Sequence, residues 1–145
     1  MSYPALNLPP APLKLSKEHE SFFVWCIVRR KKLLLTPEEW VRQHVIHYLI
    51  HYKKTPIERI NSEHLLKING QNRRCDVVVT DAFGNARLII ECKAPEIPLD
   101  EKVFLQTSNY IQQSKASFFW MTNGLHHVIA ECSNPGVYLE ELPEL

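Results

Sequence analysis

Two acidic side chains and a lysine lie within two short apolar runs near the middle of the chain. Asp76 opens the run DVVV at residues 76–79, and Glu91 and Lys93 lie in the run LIIECKA at residues 88–94. Aspartate is depleted from strands, so its place in such a run calls for a reason. Carboxylates are ligands for hard divalent ions, and a lysine beside them can stabilise an attacking hydroxide. These residue types predict metal-assisted hydrolysis of a phosphodiester.

The turn between the two runs predicts that the carboxylates meet. If residues 82–85 form the loop, Asp81 pairs with Ala86, and the numbers of paired residues sum to 167. Asp76 then lies opposite Glu91, on the same face of the sheet and with Cβ atoms about 5 Å apart. Two carboxylates at that separation repel each other unless a cation neutralises them or one holds a proton.

Lys93 lies two residues beyond Glu91 and therefore on the same face, whereas Cys92 points to the other face and into the core. The lysine supplies a fixed positive charge beside the two acids. An interpretation without chemistry is also open: Glu91 and Lys93 form a buried pair, and Asp76 lies near solvent at the start of a strand.

The surrounding pattern predicts an α/β fold, a mixed β-sheet flanked by helices. Thr36, Pro37 and Glu39 have the spacing of a helix start with a capping box, and helical periodicity continues to about residue 53. A second helix is predicted from about 100 to 114. Strands are predicted in an N-terminal hairpin at 21–35, with the basic turn Arg29-Arg30-Lys31-Lys32, and at 64–69, 74–80, 87–93, 117–122, 126–132 and 136–140.

The length and composition of the chain limit the number of domains and the classes of protein to which it can belong. With 145 residues, 45% of them apolar, we expect an extended proline-rich arm at 1–13 and a single domain at 14–145. No apolar run approaches the roughly 20 residues that span a bilayer, so no membrane association is expected. There is no Walker-type phosphate loop. The four cysteines are not closely paired, which predicts reduced thiols and a cytoplasmic location.

Charge is divided unevenly along the chain. Residues 1–74 carry 13 basic and 6 acidic side chains (+7), and residues 75–145 carry 4 and 10 (−6). The basic half could collect a polyanion, and ordinary solvated surface explains it equally well. Arg73 and Arg74, which precede Asp76 on the same strand, are the candidates for contacts with substrate phosphates, together with the 29–32 turn.

The order of the motifs resembles the PD-(D/E)xK nuclease superfamily, and more closely the N-terminal nuclease domain of type I restriction endonuclease R subunits. The resemblance covers about residues 20–143, with Cys75 replacing the superfamily's usual proline. The segments that carry it are LTPEEWVRQ (35–43), RCDVVV (74–79), IECKAP (90–95) and MTNGL (121–125). It implies a restriction-endonuclease-like α-β-β-β-α-β core, preceded here by the N-terminal hairpin.

The resemblance also implies roles. Asp76 and Glu91 would be ligands of Mg²⁺, with Mn²⁺ as a substitute, and Lys93 the catalytic lysine. An acidic residue on the first helix would complete the site; Glu38 is preferred over Glu39, because Glu38 is predicted to lie toward the apolar face. Gln106 and Tyr110 resemble a Q-x-x-x-Y element that helps to hold DNA, and both are expected to point inward.

Three functions remain open. The preferred one is a metal-dependent DNA endonuclease domain of the type I restriction R-subunit type. The alternatives are a nuclease-like module that binds DNA or a restriction-system partner without cutting, and a subunit that recruits a motor protein. The expected partners are DNA and the motor or specificity subunits of a restriction system.

Overall fold

A three-stranded antiparallel sheet opens the fold in the computed structural model, which describes residues 3–134 and 136–145 and leaves out the side chain of Tyr110. Its strands are β1 (Leu15–Glu18), β2 (Ser21–Cys26) and β3 (Lys31–Leu34). The predicted hairpin is present, but its turn is residues 27–30, so the last two residues of the predicted basic turn belong to β3. Arg30, the last residue of the turn, adopts a positive φ of 56°, and β3 begins directly after it. The short polar strand β1 has no apolar alternation and was not predicted.

The first helix, α1 (Pro37–His51), begins where predicted. The Thr36 hydroxyl accepts the N–H of Glu39 at 3.1 Å, and proline occupies the first turn. The helix is buried around most of its circumference, because the main sheet covers one side and the N-terminal segment covers another. Val41, Val45, Ile46 and Leu49 are all fully buried in the larger of two cores.

The main sheet follows a short 3₁₀ turn at Ile57–Arg59, and its order in the described residues is the order of the chain. The pairing of β6 with β7 is parallel, and the other pairings are antiparallel. The helix α2 (Glu101–Ile111) lies in the crossover between those two parallel strands. The predicted mixed α/β fold is confirmed. The strands are β4 (Ile60–Ile68), β5 (Gln71–Thr80), β6 (Ala86–Cys92), β7 (Phe118–Thr122), β8 (His127–Glu131) and β9 (Tyr138–Leu139).

Each face of this sheet has its own core. Val77, Val79, Leu88 and Ile90 pack on the α1 side. On the other side, α2 covers a second cluster that includes Val78, Ile89, Phe104, Phe119 and Met121. Cys92 lies in the α1-side core with Leu88 and Ile90, as the alternation predicted. Neither α1 nor α2, the α-helices of the described residues, has the length and apolar character of a membrane span.

The N-terminal arm, residues 3–14, contains no helix or strand, and it lies against the end of β7 and the start of α1. The Asn7 N–H donates to the Gly124 carbonyl at 2.7 Å. The Trp40 indole N–H donates to the Pro4 carbonyl at 3.1 Å, and Tyr3 stacks on the same indole. The arm therefore helps to enclose the N-terminal half of α1.

Candidate active site

The two strands that carry the predicted acids pair as expected at the end where the acids lie. Val77 pairs with Ile90 and Val78 with Ile89, so the residue numbers sum to 167. Near the turn the register shifts, and Ala86 pairs with Thr80 rather than with Asp81 as predicted. The Asp81 N–H instead donates to the Asn85 carbonyl across the turn, at 2.8 Å. The irregularity between Val79 and Thr80 absorbs the difference and leaves the register near Asp76 unchanged.

Asp76 lies one residue before Val77, which is the last residue of β5 that pairs with β6. Its Oδ2 accepts the backbone N–H of Cys92, the last residue of β6, at 2.7 Å. The carboxylate thus takes a strand N–H at the point where the β5–β6 ladder stops. Through this bond Asp76 is attached to the segment that carries Glu91 and Lys93.

Two buried thiols, those of Cys75 and Cys92, lie beside the carboxylates. Burial, followed by the charges of Glu91 and Asp76, raises the pKa of Cys75 to about 12. Burial and the charge of Asp76, with a smaller effect of Glu91, raise the pKa of Cys92 well above its ordinary value. The register, which ends with Val77 opposite Ile90, puts both Asp76 and Glu91 at the same end of the β5–β6 ladder.

Lys93 follows β6 directly and is half-buried, as is Glu91. The Lys93 N–H donates to the Thr122 carbonyl at 2.8 Å, which fixes its backbone against the end of β7. In the part of the chain that the structure describes, no group of three or more histidine, cysteine and acidic side chains could hold a metal ion.

The first helix presents Glu39 to the interior and Glu38 to solvent, which is the reverse of the predicted orientation. Glu38 is exposed, whereas Glu39 is 6% exposed. The Glu39 carboxylate accepts a hydrogen bond from the Gln43 side-chain amide at 2.9 Å. The prediction was wrong because it assumed one apolar face, whereas α1 is covered on several sides. Of the two helix carboxylates, Glu39 is the buried one.

Arg42 connects this helix to Asp76 and was not selected from the sequence. Its side chain is 8% exposed, and its Nη1 lies 3.6 Å from Asp76 Oδ1. Its Nε lies 3.2 Å from Glu39 Oε2, an ion pair whose alignment does not make a hydrogen bond. Burial lowers the pKa of the guanidinium, but the charges of Glu39 and Asp76 outweigh it, and the net pKa is raised. The i,i+3 spacing from Glu39 was the available signal.

Glu63, also missed, lies across from Asp76 on β4. The ladder pairs Ser62 with Val77 and His64 with Cys75, and Glu63 between them has a positive φ of 53°. This left-handed backbone is uncommon for a glutamate and indicates local strain of the kind found at functional sites. The sequence of β4 carries no signal for it.

The Glu63 carboxylate accepts a hydrogen bond from Arg42 Nη1 at 3.0 Å. Burial raises the pKa of Glu63, but that bond and the charges of Arg42, Arg29 and Arg74 outweigh it, so the net pKa is lowered. Glu63 is therefore held in its charged form between basic side chains.

The predicted substrate-binding residues are divided between two places. Arg74 Nη1 lies 3.7 Å from Glu63 Oε2, and Glu63 is the carboxylate that also contacts Arg42. Arg73 and Gln106 line a polar cavity of about 430 Å³ between the β4–β5 turn and α2, and that lining includes neither Asp76 nor Lys93. The Tyr110 side chain lies outside the described residues.

Gln106 is exposed, so the expectation that it points inward was wrong. Among the described side chains of α2, Phe104, Ser108 and Ile111 are the buried ones. Gln106 lies two residues from Phe104 and thus on the opposite side of the helix.

Comparison with known proteins identifies a family for most of the chain. No curated protein matches the chain. The profile of the family described as type I restriction enzyme R protein N terminus matches residues 37–145, from the first residue of α1 to the end of the chain. The chain therefore belongs to the family of type I restriction enzyme R protein N termini.

Proposed function

We propose that this chain is a divalent-metal-dependent DNA endonuclease domain that hydrolyses phosphodiester bonds at Asp76, Glu91 and Lys93. The observation that carries the proposal is the position of Asp76 at the end of the β5–β6 ladder, where its carboxylate accepts the N–H of Cys92, the residue between Glu91 and Lys93, at 2.7 Å. Family membership supports it, because a restriction enzyme acts on DNA. We further propose that its partners are DNA and the other subunits of such a system.

The donor set suits Mg²⁺, with Mn²⁺ as a substitute. Mg²⁺ commonly binds one or two carboxylates and completes its coordination with water and substrate phosphate, which is what Asp76 and Glu91 offer. A bound ion would supply charge neutralisation at the phosphate and a more acidic water.

The chain's own residues have separate roles in this proposal. Lys93 would stabilise the attacking hydroxide or the charge that develops on the phosphate. Glu39 would act through Arg42, which it holds by an ion pair within a buried environment, and Arg42 would fix the orientation of Asp76. Glu39 is thus a positioning residue, and it replaces Glu38 in that role.

The four cysteines are free thiols. This is the state that reducing cytoplasm maintains, and it fits an enzyme that meets DNA there. A cytoplasmic location is part of the proposal.

The direct test is incubation of the purified protein with plasmid DNA in Mg²⁺. A parallel reaction also contains a chelator. We expect conversion of supercoiled DNA in Mg²⁺ alone. Lys93→Ala should lower the rate by about 100-fold or more, as removal of a charge-stabilising group does. Lys54→Ala, at the far end of α1, is the control and should cut at the wild-type rate. Equal cleavage by Lys93→Ala and wild type would overturn the assignment.

A second function is favoured by one observation, the 3.6 Å approach of Arg42 to Asp76. A guanidinium at that position partly neutralises the aspartate without a metal, as in a nuclease-like module that binds DNA without cutting it. This alternative predicts DNA binding in the chelator, no cleavage with any divalent ion, and no metal binding that depends on Asp76.

A further inference from the structure

Three arginines from three separate elements converge on one carboxylate. Arg29 comes from the turn between β2 and β3, Arg42 from α1 and Arg74 from β5. Their nearest guanidinium nitrogens lie 3.6, 3.0 and 3.7 Å from the oxygens of Glu63. A single negative charge therefore faces three positive charges at this position.

The three arginines are not equivalent. Arg42 is 8% exposed, and it is shared with Glu39 and Asp76. The side chains of Arg29 and Arg74 are 29% and 68% exposed, and their distances to Glu63 exceed hydrogen-bond length. Glu63 thus holds these two by charge alone. Each guanidinium has five donors in a planar fork, so Arg29 and Arg74 retain donors for an incoming anion.

This pair adjoins the candidate active site. Arg74 precedes Asp76 by two residues on β5, Glu63 lies across the ladder from Asp76, and Arg42 contacts both carboxylates. An anion bound by Arg29 and Arg74 would therefore lie next to the bond that is cut. The guanidinium fork matches the spacing of phosphate oxygens, which makes a phosphodiester the fitting ligand.

We propose that Arg29 and Arg74, organised by Glu63, bind a backbone phosphate of duplex DNA beside the scissile bond. The inference rests on the proposed nuclease function and extends it to the N-terminal sheet. Arg29 lies before residue 37, where the family match begins, so this part of the surface is supplied by the segment that the match does not cover.

The test measures binding of a fluorescein-labelled DNA duplex by fluorescence anisotropy, in chelator and over a series of salt concentrations. The variant is Arg29→Gln with Arg74→Gln. The control is Lys54→Gln with Lys115→Gln, which removes the same charge from two exposed lysines. Lys54 follows the C-terminal end of α1, and Lys115 lies beside the β5–β6 turn, away from Asp76. Thermal unfolding of each variant verifies that it is folded.

The arginine variant should bind about tenfold or more weakly. The slope of log affinity against log salt should become shallower by about two, because each arginine that pairs with phosphate contributes about one to that slope. The control should stay within about threefold of wild type, because screened charges at that distance contribute little. Equal weakening in both variants would overturn the phosphate site.

The two proposals fail separately. If wild-type protein cuts plasmid while the arginine variant binds like the control, the nuclease stands and the phosphate site falls. If the arginine variant alone loses binding while wild type cuts nothing, the phosphate site stands and the nuclease falls.

Discussion

The guanidinium of Arg42 lies 3.6 Å from the carboxylate of Asp76, measured from Nη1 to Oδ1. The same side chain contacts Glu39 on its own helix and Glu63 on β4. Arg42 therefore links three elements at the point where the β5–β6 ladder ends. Whatever binds at Asp76 does so beside a fixed, buried positive charge.

Removal of Arg42 should destabilise the fold. Arg42→Met keeps much of the side-chain volume but leaves the buried Glu39 without its ion pair, and loss of one partner of a buried pair costs about 3 kcal/mol or more. Urea denaturation at neutral pH measures the free energy of unfolding. The control is Arg30→Met, because Arg30 is exposed and its replacement should change the free energy of unfolding by less than about 0.5 kcal/mol. Equal stability of the two variants would show that the buried network contributes nothing.

Metal binding should depend on both carboxylates. Asp76→Asn and Glu91→Gln keep the side-chain shapes but remove the charges, and each should weaken Mn²⁺ binding by at least about tenfold. Isothermal titration calorimetry without DNA measures this separately from cleavage. Glu58→Gln, an exposed acid on the 3₁₀ turn, should bind like wild type. Binding that survives in Asp76→Asn would favour the alternative of a module that does not cut.

The sequence predicted the pairing of the two acidic strands because local rules determine it. Alternation sets which face each residue takes, and the turn at residues 81–85 sets the register. The error near Ala86 did not spread, since the irregularity lies between Val79 and Thr80, on the turn side of the site.

The positions of the side chains around Asp76 could not be predicted from the sequence in the same way. The orientation of Glu38 and Glu39 depends on what covers the first turn of α1, and the cover comes from residues distant in sequence. Glu63 reaches Arg42 from a positive φ in the middle of a strand, a conformation that no residue of β4 encodes. Both features are tertiary, so periodicity and spacing do not predict them.

The two adjacent glutamates of α1 allow a matched test of which one supports cleavage. Glu39→Gln removes the charge that is paired with Arg42, and loss of a positioning partner should reduce plasmid cleavage by about tenfold. Glu38→Gln, one residue away and exposed, should cleave within about twofold of wild type, since surface substitutions have small effects. Rates are measured by single-turnover assays. The reverse order of activity would restore Glu38 as the supporting acid.

Gly124 should tolerate no side chain, because the N-terminal arm packs against it. Its φ is +86°, and a Cβ there would lie 2.7 Å from a methyl carbon of Leu6. Gly124→Ala should therefore lower the free energy of unfolding by about 2 kcal/mol, from backbone strain and overpacking together. In a double-mutant cycle with Leu6→Ala, the clash is removed and the two effects should be less than additive. Strict additivity would mean that the arm does not contact this turn.

Acid should weaken the fold through buried histidines on α1. Burial, with the nearby His51 and His44, lowers the pKa of His47 from its ordinary value of 6.5. The unfolded chain then binds more protons than the folded one, so stability is complete above pH 6.5 and is lost as the pH falls through the folded pKa. His47→Gln should flatten this part of the curve of unfolding free energy against pH. An unchanged slope in His47→Gln would assign the pH dependence to other groups.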